Sequence, residues 1–352
     1  NYDALDVLYA QGAFTAYSGA FNIDSDDSFV IYLRVTDYAG NYIYVCSNGY
    51  VVDKTAGWIT LERVEPNANG MYGRDSDVRV AVKVEDAEPY SGIASVDYLV
   101  FRSRADYETY RNTAAESWTQ SGNLFTFQVQ NPLHGELQKE VEKVISVDKE
   151  KNHSPEAIVY VRATDNAGNV SEQTISLDIN NFAPTVSLTY ADTANEGAVS
   201  GYYTKRTATI VITENEHYFD TDAAAAGILI TAKDSNGADV ENAYKISTWD
   251  TAQNPTNPDA STHTATISFE KDANYTVSVN YTDRAGNTNG QVNVSGQAVP
   301  FEFTVDSTKP GGTVKAVSDE GRETVWSDLR GVLTYGFWSN SRITVTGTAE
   351  DA

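Results

Sequence analysis

Thr36-Asp37-Tyr38-Ala39-Gly40-Asn41, Thr164-Asp165-Asn166-Ala167-Gly168-Asn169 and Thr282-Asp283-Arg284-Ala285-Gly286-Asn287 are three copies of one phrase, and its reading decides the fold. Each copy closes a run of alternating apolar residues: Ile31, Leu33 and Val35; Val159, Val161 and Ala163; Val277, Val279 and Tyr281. A period of two marks a half-buried strand, and a second strand pattern follows each copy. The phrase therefore predicts a hairpin turn. Gly takes the positive φ of a tight reversal, Asn tolerates it, and the Asp carboxylate accepts hydrogen bonds from turn amides. An Asp beside an Asn also suits catalysis or metal binding, but three repeats at strand ends read as architecture.

A second phrase follows each hairpin: Val52-Asp53-Lys54-Thr55-Ala56-Gly57, Ile179-Asn180-Asn181-Phe182-Ala183-Pro184 and Val305-Asp306-Ser307-Thr308-Lys309-Pro310. Asp53 to Asn180 spans 127 residues and Asn180 to Asp306 spans 126, a spacing that marks module boundaries. Each boundary is followed by an opening strand pattern (Ile59-Leu61, Val186-Leu188, Val314-Ala316). A fully alternating strand comes next: Val78, Val80, Val82 and Val84; Ala208, Ile210 and Ile212; Ile343 and Val345. These strands run into Glu85-Asp86, Glu214 and Glu350-Asp351. The expected organisation is the C-terminal part of one module at 1–56, complete modules at 57–183 and 184–310, and the N-terminal part of another at 311–352.

Within the second module, Val96-Tyr98-Val100, Phe125-Phe127-Val129 and Ile145-Val147 are further strands. The polar stretch 103–124 and the charged stretch 134–155 read as its loops. Leu137, Val141 and Val144 also fall at helical spacing, but Ile145-Val147 aligns with Ile267-Phe269 of the third module and favours a strand. The third module adds Ile228-Ile230, Tyr244-Ile246 and a strand at Tyr275, with a Pro/Asn/Thr-rich loop at 251–263. Short strands at this spacing, with no convincing helix, predict an all-β fold of tandem β-sandwiches.

A strand opened by an aromatic, as in Asp272-Ala273-Asn274-Tyr275, that ends in Thr-Asp-x-Ala-Gly-Asn and leads to Val-Asp-x-Thr-x-Pro resembles the bacterial Ig-like repeat domains. Ile179-Asn180-Asn181-Phe182 departs from the second motif. The resemblance implies Ig-like sandwiches from a large secreted or cell-surface bacterial protein. Such repeats act as spacers, adhesive modules or accessory domains beside surface enzymes. It also implies that Tyr275 is a tyrosine corner, with its ring in the core and its hydroxyl on nearby backbone.

Composition narrows the function. With 25 Lys and Arg against 49 Asp and Glu, the net charge of −24 argues against nucleic acid or an anionic membrane as the principal partner. No run of 18 apolar residues is present. Cys46 stands alone, so stability comes from packed sheet rather than disulfides. The acidic Asp24, Asp26 and Asp27 read as a solvated loop. His134, His153, His217 and His263 are placed in different loops without zinc-ligand spacing, and no nucleophile–base pattern or phosphate loop occurs. Glu214-Asn215-Glu216-His217 reads as a polar turn. The chain is therefore not expected to be an enzyme, and no cofactor or metal is expected. Calcium at the boundaries, suggested by Asp53 and Asp306, is expected to have little effect because Asn180 interrupts the pattern.

Aromatic residues in loops offer large contact area at small entropic cost, which singles out Tyr107, Tyr110 and Trp118 as binding residues. Trp58 and Trp249 are expected to pack, the former at a domain junction. The function expected is adhesin-like binding of a host protein, immunoglobulin included, or a glycan. The alternative is a spacer or accessory segment of a surface carbohydrate-active enzyme.

Overall fold

A computed structural model describes residues 2–112, 125–127, 138–290, 292–294, 301–318, 323–326 and 342–351. The chain divides into two compact units, Asn1–Phe182 with Ala285–Asn287, and Ala183–Arg284 with Thr288–Ala352. Strands dominate both.

In the first unit, the strands Trp58–Val64, Arg79–Glu85 and Glu140–Ser146 form one antiparallel sheet. The strands Val170–Ile179, Ser154–Asp165, Ile93–Phe101 and Phe125–Phe127 form a second, in that order. Alternation decides which side chains face inward. Val80, Val82 and Val84 from the first sheet and Val96, Val159, Val161 and Leu177 from the second are buried in one cluster between the sheets. Burying a Val or Leu side chain gains roughly 1.5–3 kcal/mol relative to exposure, so this apolar layer is the main source of stability. Glu140–Ser146 is a strand paired to Arg79–Glu85, as the alignment of Ile145-Val147 requires.

The polar stretch from 103 is not all loop. Arg104–Asn112 is a helix, started by Ser103, whose Oγ accepts from Asp106 N at 3.1 Å and lies 2.8 Å from Asp106 Oδ2. It packs over a satellite cluster of Leu99, Tyr107, Ile158 and Tyr160 on the outer face of the second sheet. The N-terminal residues add a helix, Tyr2–Ala10, and two strand pairs, Tyr32–Thr36 with Tyr42–Cys46 and Asp27–Phe29 with Tyr50–Val52. Leu33, Val35, Ile43 and Val45, the residues that alternation would place in a core, are exposed. Trp58 is 73 % exposed rather than packed.

In the second unit, one sheet runs Tyr244–Ile246, Thr262–Phe269, Lys205–Thr213, Thr185–Thr193 and Asn293–Val294. The other runs Tyr202–Tyr203, Phe301–Val305, Ala273–Val279 and Ile228–Lys233. Ile210, Ile212, Ile267, Tyr275, Val277 and Phe303 fill the space between them. Tyr275 stacks on Phe303 at 5.4 Å, and its hydroxyl lies 2.8 Å from Ala243 O and 2.7 Å from Lys271 O, the corner geometry expected of it. The Pro/Asn/Thr-rich loop carries a short strand, Asp250–Ala252, and a 3-10 turn, Pro258–Ala260. A further short helix, Thr221–Gly227, is capped by the Asp220 side chain. The strands Gly311–Ser318, Glu323–Trp326 and Ile343–Glu350 make a three-stranded sheet of their own.

The fold is thus all-β, built of Ig-like sandwiches. Its hairpin turns have the predicted backbone: Gly40, Gly168 and Gly286 sit at φ +90, +92 and +89°. A Cβ on Gly168 would meet nothing within 4 Å, so conformational strain is isolated from clash there. Replacing Gly168 with Val is expected to destabilise the protein by about 1–3 kcal/mol. A thermal melt coincident with the parent's overturns that reading. Tyr275→Phe, which keeps the packing but removes the hydroxyl's hydrogen bonds to Ala243 O and Lys271 O, is expected to cost about 1 kcal/mol in chemical denaturation.

Candidate functional site

The turn that orders the chain also builds its most distinctive polar site. In the second copy, Asp165 Oδ1 accepts from Asn169 N and Oδ2 from Asn169 Nδ2, both at 2.8 Å. Asp37 and Asn41 repeat the pair with the same two distances in the first copy, and there the Asn41 side-chain amide, aided by its backbone N–H, holds the Asp37 carboxyl below the usual range. Asn169 Nδ2 also donates to Asp53 O at 3.0 Å, tying the turn to the boundary phrase that precedes this sandwich. Within the first unit, Asn287 Nδ2 likewise reaches Asn180 O and Phe182 O, each at 3.1 Å.

Three carboxylates converge where Asn169 makes that tie. Asp53 lies in the boundary phrase, Asp86 directly follows the strand Arg79–Glu85, and Asp165 ends the strand Ser154–Asp165. They are 7, 7 and 5 % exposed, and one ligand oxygen from each lies within 4.8 Å of the others. Asp53 Oδ1 accepts from Thr55 N at 3.0 Å and Oδ2 from Ser91 N at 2.8 Å. Asp86 Oδ2 accepts from Gly92 N at 2.8 Å, while its Oδ1 is buried without a hydrogen-bond partner among the described residues. Burial, then the charges of Asp53 and Asp165, push the Asp86 carboxyl above its usual range. The donors are all hard oxygens, which suit a cation such as Ca²⁺ or Mg²⁺ rather than zinc or copper.

The second unit treats a matching position differently. Glu214 follows the strand Lys205–Thr213 as Asp86 follows Arg79–Glu85, and it too is buried. Tyr281 Oη donates to Glu214 Oε1 at 2.6 Å and itself accepts from Asp220 N at 2.9 Å. Burial pushes the Glu214 carboxyl up to about 8 despite that hydrogen bond, with Asp283 and Asp220 adding to the rise. Glu214 is therefore a buried acid, while Glu216 and His217 after it lie in an exposed turn, as expected of that stretch. His263 is also out of place as a loop residue: it lies in the strand Thr262–Phe269, stacked 3.8 Å from the Phe219 ring.

The aromatic residues singled out for binding fall in different settings. Tyr107 is 8 % exposed on the inner face of its helix, 5.6 Å from Phe101 and 5.7 Å from Tyr160. Tyr110, one turn on, is half-buried at 5.1 Å from Phe101. Trp118 and His134 lie outside the described residues. The convergence of Asp53, Asp86 and Asp165 escaped sequence reasoning, although each stood at a landmark: a boundary phrase, a strand end and the repeated turn.

No family model matches the chain, and no curated protein does. Among solved structures, it is similar to a tetra-tandem repeat from the extending region of a large adhesion protein, with 14 % identity and a TM-score of 0.31 over 93 % of this chain and 82 % of that one. A structure of a 1.5-MDa bacterial ice-binding adhesin shows 16 % identity and a TM-score of 0.30, over 80 % of this chain and 74 % of that one. The C-terminal domain of the Streptococcus agalactiae AgI/II polypeptide BspA shows 12 % identity and a TM-score of 0.30, over 70 % of this chain and 99 % of that one. Superpositions this loose carry no argument about function.

Burial of Glu214 has a thermodynamic consequence. Its carboxyl titrates near 4.5 when unfolded and near 8 when folded, so folding takes up a proton between those values. The contribution to stability is fully present below about pH 4.5 and is lost as the pH rises to about 8. The slope approaches about 1.4 kcal/mol per pH unit. Glu214→Gln is expected to flatten the stability profile across this window in urea unfolding. A parent profile that rises with pH through the same window overturns the assignment.

Proposed function

We propose that the chain is a non-catalytic tandem Ig-like segment of an extracellular bacterial surface protein, adhesin-like in role, divided into modules at 1–56, 57–183, 184–310 and 311–352. The observation that carries this reading is the recurrence of one structural joint, a turn asparagine bonded to the carbonyl of a boundary phrase, as Asn169 is to Asp53. A joint repeated at module spacing builds an array, and arrays present surfaces at a distance rather than enclose a reaction centre. The resemblance of the repeated motifs to bacterial Ig-like domains supports the same reading, and strong acidity suits an exposed, solvated segment.

The partner in this reading is a host protein, with immunoglobulin a special case, or a glycan, recognised by the helix Arg104–Asn112 and the polar stretch after it. Tyr110 and Trp118 are the aromatic anchors, and Tyr107 seats the helix against Tyr160. The inward turn of Tyr107 and the polar outer face of the helix favour a second reading, a plain spacer beside a surface carbohydrate-active enzyme.

An array of immobilised host glycoproteins, immunoglobulins and glycans probed with the 352-residue chain separates the two. Adhesion predicts a partner whose affinity for Tyr110→Ala falls at least about fivefold, or about 1 kcal/mol, in surface plasmon resonance, with circular dichroism unchanged. Binding to nothing on the array favours the spacer.

A further inference from the structure

We propose that copies of this chain pair head to tail: the sheet of Gly311–Ser318 and Ile343–Glu350 in one copy covers the open face of the hairpin Tyr32–Thr36 with Tyr42–Cys46 in the next. The hairpin has two unlike faces. Its register sets Leu33 opposite Val45 and Val35 opposite Ile43, so these four side chains share one face, while Tyr32, Arg34, Tyr42 and Tyr44 share the other. The helix Tyr2–Ala10 closes that second face: Arg34 lies over the Tyr9 ring at 3.9 Å, Tyr44 packs edge-on against Tyr2 at 5.6 Å, and the Tyr42 and Tyr44 hydroxyls both donate to Asp6. Among the described residues the first face has no such cover. Leu33, Val35, Ile43 and Val45 are each about half exposed.

The chain itself shows what covers such a face. Counting from the repeated turn phrase, Leu33 and Val35 stand where Val161 and Ala163 do, and Arg34 stands where Arg162 does. Val161 and Ala163 are buried against the sheet of Trp58–Val64 and Arg79–Glu85, while the helix Arg104–Asn112 lies on the opposite face, as Tyr2–Ala10 does on the hairpin. The hairpin thus has the outer helix of a sandwich and lacks the opposing sheet. The sheet of Gly311–Ser318 and Ile343–Glu350 has the reverse deficit. Counting back from Glu350 as the equivalent of Glu85, Ile343 and Val345 stand where Val78 and Val80 do. The pairing of Ala316 with Val345 and of Ser318 with Ile343 puts Val314 on the same face. Val78 and Val80 are buried, whereas Val314, Ile343 and Val345 are exposed. Each piece therefore presents the face that its counterpart in the complete sandwich buries.

Chemistry and size both suit the pairing. Two sheets pack about 10 Å apart through interdigitating apolar side chains. Gly312, Ala316, Gly347 and Ala349 share the sheet's face with Val314, Ile343 and Val345, so closing the pair over Leu33, Val35, Ile43 and Val45 buries no charge. The exposed aliphatic surface of the two faces is on the order of 600 Å², about half of the roughly 1,200 Å² at which specific interfaces begin, with the rest supplied by backbone and flanking residues. A contact of that size is reversible and depends on concentration. Because the two faces differ, the contact is heterologous: each added copy leaves a free hairpin at one end and a free sheet at the other. Such pairing needs no adhesive partner, so the array experiment above and the measurement below fail separately.

Sedimentation velocity of the 352-residue chain over a concentration series tests the pairing with two variants, a hairpin variant carrying Leu33→Asp and Val35→Asp and a sheet variant carrying Ile343→Asp and Val345→Asp. All four positions are exposed, so both variants should fold, which circular dichroism checks. The parent is expected to grow past twice the chain mass as its concentration rises. Growth should be stronger in high salt, which screens the repulsion between copies of net charge −24. Each variant alone should stay monomeric. Mixed in equal amounts, the two should form a dimer that grows no further, because the intact sheet of the hairpin variant covers the intact hairpin of the sheet variant and the blocked faces end the series. A parent that stays monomeric across the series, a variant that self-associates as the parent does, or a mixture that yields no dimer would overturn the proposal.

Discussion

The pairing of one aspartate with the asparagine four residues later, Asp165 with Asn169, is the interaction on which this architecture turns. The carboxylate takes both the backbone N–H and the side-chain amide of the asparagine, which closes the reversal around Gly168 and fixes the asparagine rotamer. With its rotamer fixed, the same amide has a second proton aimed at the carbonyl of Asp53. A local turn thereby becomes a long-range fastening without any apolar contact. Buried backbone carbonyls need such partners, and Asp53 lies just past the paired strand Tyr50–Val52, beyond the reach of its ladder.

An acidic chain faces a shortage when it buries carboxylates. Only 25 basic residues face 49 acidic ones, and several of the basic residues make surface ion pairs of small worth, such as Lys83 with Glu85 and Glu140. Few remain for the interior. Arg206 is one of them: buried among the rings of Tyr190, Tyr203 and Phe303 at 3.9, 4.1 and 4.3 Å, it donates to Asp192 at 2.7 Å. Elsewhere the interior relies on backbone amides, on asparagine and on the Tyr281 hydroxyl. Each of these substitutes donates a hydrogen bond to a carboxylate and so favours its ionised form against the burial that opposes it.

Most of the fold was legible because strands write their burial into every second residue. Val78, Val80, Val82 and Val84 announce an inward face, and the glycine of each turn announces positive φ. The helix Arg104–Asn112 was less visible. Its apolar content is Ala105, Tyr107 and Tyr110, and the polar residues around them resemble a loop. The available signal was the Ser103-x-x-Asp106 cap followed by two tyrosines at helical spacing, and that would have turned Tyr107 from an exposed contact into a packed one. The N-terminal strands misled in the opposite way: alternation at Leu33, Val35, Ile43 and Val45 states which face seeks a core, not whether a second sheet covers it.

The aspartate cluster was illegible for a different reason. Asp53, Asp86 and Asp165 have no spacing motif, because sheet topology, not local sequence, brings them together. The strand pairing of Trp58–Val64 with Arg79–Glu85 sets Trp58 opposite Glu85, which places Asp86 at one end of the sandwich, and the hydrogen bonds from Ser91 N and Asn169 Nδ2 hold Asp53 there. The second sheet brings Asp165 to the same end by pairing it with Ile93. Once those registers are set, a one-residue slip would reverse the facing of every strand residue and cost the whole apolar layer. The hydrophobic core therefore determines the positions of the charges, and their mutual repulsion is accepted because the core is worth more. A carboxylate triad placed by such registers is stiff, and a stiff oxygen-lined site discriminates among cations by size more sharply than a mobile loop does.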